Sequence, residues 1–242
     1  MPRAAKGSAR KEPAVVRAPG RGKYDRGRTP DQREREQRGR LLESAGHVFA
    51  ERGWADASVE AIVTRAGMSR RTFYEHFDDL RHCLLTFYEG ATKRAFKAVE
   101  LAVEGASPDP TDRLRTGVTG FLGGITMFPH VARVIFRVAR SAGPDFEAAH
   151  ERVMDRFARL VHHGVAAAHA IGRTRLPPDE LRVFALVSAM EAVAMRFVLR
   201  GEEARALEAA PVLIDMVERA FGAVLADGKP ARISDVMPER SP

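Results

Sequence analysis

Apolar residues along this chain recur at intervals of three and four, and no stretch of any length shows the alternation of a strand. The first such run puts Leu41, Leu42, Ala45, Val48 and Phe49 on one face of a helix over 32–52, which Arg52 and Gly53 are suited to close. Ser58 is placed to cap a second helix with Val59, Ile62, Val63 and Ala66 inside. Gly67 supplies a tight turn, and Ser69 caps a short third helix, 70–76. Asp78 or Asp79 caps a fourth that runs to about Glu104, with Cys83, Leu84 and Phe87 on its apolar side. At 1.5 Å per residue that helix is about 39 Å long. After a break over Ser107–Thr111, a helix over 112–125 carries Leu114, Val118, Phe121, Leu122 and Ile125 on one face. Pro129 opens the next, with Val131, Val134, Ile135 and Val138 inside, and Gly143-Pro144 ends it. A long helix to about Ile171 follows, then one after Pro177-Pro178 and a last one over Pro211–Leu225.

Two short capped helices joined by a glycine-containing turn are the sequence form of a helix-turn-helix. Its second helix carries a contradiction: Arg70 and Arg71 sit in a first turn where the helix dipole is already positive. Each misplaced charge costs about 0.3–1 kcal/mol. A polyanion laid against that end reverses the sign. On this pattern Arg70 and Arg71 are the side chains expected at base edges, since arginine pairs bidentately with guanine. Thr72, Tyr74 and His76 are spaced to reach phosphates, while Phe73 and Phe77 point back to the core.

The run 41–85, with FAERG at 49–53, AGMS at 66–69 and TFYEHF at 72–77, resembles the DNA-binding domain of the TetR family of transcriptional regulators. The resemblance covers about a fifth of the chain. By it, Ser69, Arg70, Thr72, Tyr74 and His76 match the family's contact positions, and Trp54 is expected to pack beneath the helix-turn-helix. Arg71 stands where the family often has Gly, and Val63 where a small residue is usual at the helix crossing. Leu80 replaces a Lys that commonly anchors a phosphate, with Arg81 as the nearest substitute. Ser58, Ser69, Arg70, Arg71, Thr72, Tyr74, His76 and Arg81 therefore form the expected DNA-binding set.

Composition adjusts this picture at the ends. Residues 1–30 hold nine Lys/Arg against Glu12 and Asp25, so the formal charge of +7 resides there and the rest of the chain balances. The stretch 1–31, rich in Pro, Gly, Ala and Arg, is expected to be a disordered basic tail, and 227–242 a second tail. The pieces 20–23 and 26–30 suit a minor groove. A solvated tail, or a misassigned start, is the plainer reading. The N-terminus lacks the apolar core of a signal peptide. No run of eighteen uncharged apolar residues exists, so no spanning helix and no membrane partner are expected. Cys83, a single cysteine, excludes an internal disulfide, fits a reducing cytoplasm and reads as a small core residue. No phosphate loop, HExxH, nucleophile elbow or paired carboxylates appear, so no enzyme activity or cofactor is expected. His162, His163 and His169 lack clustered partners, so no metal site is proposed.

The C-terminal half, 86–226, is expected to bind a ligand and dimerise. Gly117, Gly120 and Gly124 form a stripe explained by a packed neighbour or by room for a ligand. Arg133, Arg137 and Arg140 read as a solvated face. His150 is the polar member of an apolar stripe, either a satisfied core histidine or a ligand-orienting group. The expected pocket gathers Phe121, Phe128, His150, Met154, Phe157, Phe184 and Glu191. The helix over 183–199 is apolar almost all round, so a second copy is its natural cover. With the last helix and the symmetry mates it makes a four-helix bundle. Val187, Met190, Ala194, Val198, Leu213, Val217 and Phe221 are the expected interface. Glu191 then needs an arginine, the other subunit or a ligand amine.

The expected fold is all-α: a three-helix DNA-binding domain over 32–85, joined by a long helix to the helical ligand-binding and dimerisation domain. The resemblance implies a cytoplasmic, nucleoid-associated homodimeric repressor of palindromic operators on double-stranded DNA, released by a small, largely apolar effector. A different class stays open: a ligand-independent DNA-binding or architectural protein whose C-terminal domain serves only dimerisation or protein docking.

Overall fold

The computed structural model describes residues 29–222, all helices and connecting turns, with no strand among them. The expected tail 227–242 lies outside these residues, as does 1–31 apart from 29–31, where Pro30 and Asp31 are helical rather than disordered. The first helix, α1 (Pro30–Arg52), starts two residues earlier than the apolar pattern predicts. Its start is set by polar chemistry: Thr29 and Gln32 form a reciprocal capping box (3.2 and 3.0 Å), and Pro30 fits the first turn. Gly53, at φ 77°, ends it.

Next come α2 (Val59–Ala66), capped by Ser58, and α3 (Arg70–His76), capped by Ser69, with Gly67 left-handed between them at φ 63°. Asp79 accepts from the His82 amide at 2.7 Å and so starts α4 (Leu80–Glu104), which resolves the choice between the two aspartates. Where α1 crosses α4 the chains are very close. A Cβ on Gly46 would stand 2.4 Å from the Phe87 ring.

The remaining elements are α5 (Pro110–Met127), α6 (Pro129–Arg133), a π-helical turn (Val134–Val138), a 3₁₀ turn (Ala139–Ser141), α7 (Pro144–Ala170), α8 (Glu180–Arg200), a second 3₁₀ turn (Glu203–Ala209) and α9 (Ala210–Ala220). The helix expected from Pro129 is thus one continuous segment with a widened turn in its middle. The last helix stops at Phe221–Gly222, where Gly222 takes φ 61°.

Three apolar clusters hold the molecule together. The first joins α1–α4 through Leu41, Phe49, Ile62, Phe73, Phe77, Leu84 and Tyr88, and also takes in Val134, Val138 and Phe146. The second gathers Leu122, Ile125, Phe136, Ala194, Val198 and Leu213 from α5, the π turn, α8 and α9. The third packs Val165, Val183, Leu186, Val217 and Phe221. Cys83 is fully buried in the first cluster, and burial pushes its thiol pKa up to about 12, so it is a core residue. Trp54 is half-buried against the same cluster, 6.2 Å from the Phe49 ring.

Three expectations need correction, and one open choice narrows. The seven residues assigned to a subunit interface lie inside the chain's own cores. Val187, Ala194, Val198, Leu213, Val217 and Phe221 are buried and Met190 is packed on the second cluster. A helix apolar on every side does not announce which stripe meets its own fold. The stripe left outside is Leu181, Phe184, Ala185, Ala192 and Leu199, with Val212 exposed on α9. The arginine stripe is not solvated throughout. Arg133 grips Glu203 at 2.7 Å and Arg140 grips Glu191 at 2.8 Å. Gly117 and Gly120 are explained by the neighbouring helix, where their Cβ positions would touch Val103 and Val99, whereas Gly124 has open space. The pocket set is also split. Phe128 is exposed at the α5–α6 corner, and Phe184 lies in a separate cleft of about 860 Å³ beside His162 and His163. No single helix among the described residues is long and apolar enough to cross a membrane.

Candidate nucleic-acid interface

The tip of the molecule is α2, its turn and α3. Phe73 and Phe77 are buried and the first stacks edge-on to Tyr74 at 5.5 Å, which fixes α3 by its inner face. That leaves Arg70, Arg71, Tyr74 and Glu75 exposed on the outer face. Ser69 accepts from the Thr72 amide at 3.1 Å, and their hydroxyls meet at 2.9 Å. The first turn of α3 holds no acid. Its free amides and both guanidiniums therefore sum to one positive tip. Arg70 has no ion-pair partner among the described residues. Arg71 donates to Glu75 at 3.0 Å, but both side chains are mostly in water, so the pair is weak and exchangeable.

The eight expected contact residues are not equally available. Ser58 is half-buried and its hydroxyl caps α2, accepting from the Ala61 amide at 3.3 Å. Thr72 is half-buried. His76 is half-buried: its Nε2 is buried without a hydrogen-bond partner, and its ring stands 6.3 Å from that of Phe77. Arg81 is partly engaged elsewhere. It is held by Asp145 in the first turn of α7 at 3.0 Å, and its guanidinium lies against Gly143. It joins α4 to α7 rather than extending the tip.

Sequence reasoning missed two arginines of α1 that brace this unit. Arg40 donates to the Ala66 carbonyl at 2.7 Å, closing the C-terminus of α2, and Arg38 lies over the Phe77 ring at 5.4 Å. Their signal in the sequence is faint, since arginines on a polar helix face are ordinary.

Residues 41–85 match the sequence model of "Bacterial regulatory proteins, tetR family". Over these residues the chain carries the DNA-binding domain of that family. The HTH-type transcriptional regulator EthR of Mycolicibacterium smegmatis is 30% identical over 107 residues, 44% of this chain and 49% of that protein. The chain thus spans about half the length of the curated relatives it matches. A TetR-like transcriptional regulator from Rhodococcus sp. RHA1 is 26% identical with a TM-score of 0.60, covering 76% of this chain and 94% of that one. The transcriptional regulator FadR from Bacillus subtilis, solved in complex with stearoyl-CoA, superposes with a TM-score of 0.67 at 12% identity, over 74% and 96% of the two chains. That last likeness shows the fold alone.

Behind the tip lies the second half of the expected site set. Phe157 meets Phe121 at 6.0 Å and Phe96 at 5.3 Å, and Phe121 meets Phe136 at 6.5 Å. Met154 is buried on the same helix as Phe157. His150 is satisfied rather than free. Its Nδ1 stands 3.4 Å from the Tyr88 hydroxyl and its Nε2 3.2 Å from Glu191. Burial alone would raise the Glu191 pKa. Hydrogen bonds from His150 and Arg140, with their charges, outweigh it and hold the carboxyl below the ordinary value. Of the three partners expected for Glu191, an arginine of the same chain is the one present. Among the described residues no three His, Cys, Asp or Glu side chains are grouped to hold a metal.

Proposed function

We propose that this chain is a DNA-binding transcriptional regulator that acts as a homodimeric repressor on palindromic operators and is released by a small, largely apolar ligand. The observation that carries the reading is α3: an acid-free, doubly cationic first turn on a helix pinned from behind by buried aromatics. Stability alone disfavours that charge placement, and a phosphate backbone rewards it. Arg70 and Arg71 are assigned to base edges, and Tyr74, Thr72 and the hydroxyl of Ser69 to phosphates.

Dimerisation supports the operator geometry. Two recognition helices on a two-fold axis sit about 34–36 Å apart, one duplex turn. The face of α8 that the chain leaves open, Leu181 to Leu199, with Val212 of α9, supports a second copy there. The ligand reading is supported by the aromatic series Phe96, Phe157, Phe121 and Phe136, and by FadR of B. subtilis, which holds stearoyl-CoA. A ligand in that region releases DNA by favouring a dimer whose recognition helices no longer match adjacent grooves. DNA in turn weakens ligand binding by the same factor.

Selection of bound DNA from a random pool tests the reading. The expected result is an inverted repeat with half-sites one turn apart. Arg70→Ala flattens preference at one or two base pairs, about 1–3 kcal/mol of discrimination at each. Tyr74→Phe weakens all sequences alike and leaves the salt slope nearly unchanged, since a neutral phenol displaces no counterion. An unchanged motif with Arg70→Ala removes the base-reading assignment. No salt-sensitive affinity for any duplex removes the function.

A further inference from the structure

A cleft of about 240 Å³ opens to solvent between α4 and α7. Its floor is apolar and aromatic, from Tyr88, Phe96, Val153 and Phe157. Its rim carries three cations, Lys93, Arg152 and Arg156, against one carboxylate, Glu89. The charges are not neutralised internally. Arg152 reaches Glu89 only at 3.3 Å, with both side chains more than half exposed. Lys97, one turn from Lys93, is already taken by Glu100 at 2.9 Å. Lys93 and Arg156 have no carboxylate partner among the described residues. Arg156 is nevertheless held in place, its guanidinium 3.9 Å over the Phe96 ring, so a fixed positive charge stands at the mouth.

The floor continues inward. Phe157, at the cleft, is the ring that contacts Phe121. One turn further along that face of α5, a Cβ on Gly124 would meet nothing within 4 Å. Fixed cations over an aromatic floor that packs on into Phe121 match a molecule with an acidic end and an apolar chain.

We propose that the effector is an anionic amphiphile, its carboxylate or phosphate head held by Lys93 and Arg156 between α4 and α7, its chain passing Phe96 and Phe157 toward Phe121. This rests on the reading of the protein as a ligand-released regulator. Charge-assisted hydrogen bonds to the head supply orientation, and the guanidinium plane suits either anion. The apolar chain supplies most of the affinity.

The test is calorimetric titration of the full chain with dodecanoate and dodecyl phosphate below their micelle concentrations and dodecanol below its solubility limit, with operator affinity measured separately. The expected result is that at least one anion binds about tenfold or more tighter than the alcohol. Tighter dodecanoate assigns a carboxylate head, and tighter dodecyl phosphate a phosphate head. Lys93→Gln with Arg156→Gln removes that preference and leaves dodecanol affinity within about twofold. Lys93→Glu alone, on an exposed side chain, weakens both anions and spares the alcohol. Equal binding of anions and alcohol, no binding of any, or an anion preference that survives the double substitution overturns the proposal. Those outcomes leave operator affinity untouched, whereas a chain without specific operator affinity fails in the broader reading.

Discussion

The α1–α3 tip and the C-terminal half are held together by different means. At the tip the buried set is apolar but for Ser44 and the polar work is mostly local: Ser58 and Ser69 cap the helices they precede, with Arg40 alone reaching 26 residues along the chain to close α2. In the C-terminal half, acids are drawn into the fold and met by arginines from distant segments. Glu203 is 3% exposed and paired to Arg133, and Glu218 is 5% exposed and paired to Arg115 at 2.8 Å. Glu191 takes Arg140 and His150. Buried pairs of this kind recover little more than their own desolvation, but each fixes one arrangement of the helices that carry it. The difference teaches that the tip is rigid by local rules, while the rest is positioned by a few charged links that a bound molecule or a second copy can lean on.

The largest expected effect breaks one of those links. Arg133→Met leaves Glu203 buried and unpaired and costs about 3 kcal/mol, read as a lower urea midpoint. Adding Glu203→Met restores most of the loss, and failure to restore it would place the damage in packing rather than charge. Gly46→Ala is next, since its methyl would collide with the Phe87 ring where α1 crosses α4. About 1–3 kcal/mol is expected, with operator affinity lowered at the same time. Ser69→Ala removes the α3 cap and costs about 1 kcal/mol, checked by the same denaturation midpoint.

The smallest effect is set by acid. His47 of α1 and His130 of α6 stack face to face at 4.4 Å, with Glu43 and Arg133 as the charged groups around His130. Burial, then the charge of His47, lowers the His130 pKa below the ordinary 6.5. A histidine that binds its proton less readily when folded stabilises the fold fully above that value and loses the contribution as pH falls. Stability between pH 7.5 and 5.5 is therefore expected to drop modestly, and His130→Gln to flatten the drop. Glu191 and Glu203, also held below the ordinary 4.5, follow only at stronger acid.

How much of this was readable in advance follows from how far each interaction reaches along the chain. Caps and turns lie within three residues of what they bind, so Ser58, Gly67, Ser69 and the exposed arginines of α3 were all legible. Cys83 was legible because burial follows the apolar stripe. The partners of Arg133 and Arg140 sit 70 and 51 residues away, and nothing in a stripe of arginines points to them. The same distance hides which side of α8 meets its own chain. Helical period identifies the apolar residues of a helix surrounded on all sides but not the order in which neighbours claim them. Arg81 is hard to place for a related reason. Spacing puts it near the tip, and its pair with Asp145, 64 residues away, decides where its guanidinium lies.

The widened turn at Val134–Val138 has a mechanical meaning. Its valines are pegged into the cluster beneath the helix-turn-helix, while Phe136 between them is pegged into the cluster shared by α5, α8 and α9. Five consecutive residues act as a rivet through two plates. Neither plate can slide or loosen without dragging the other, so a disturbance in the rear of the protein arrives at its front without needing any path of its own.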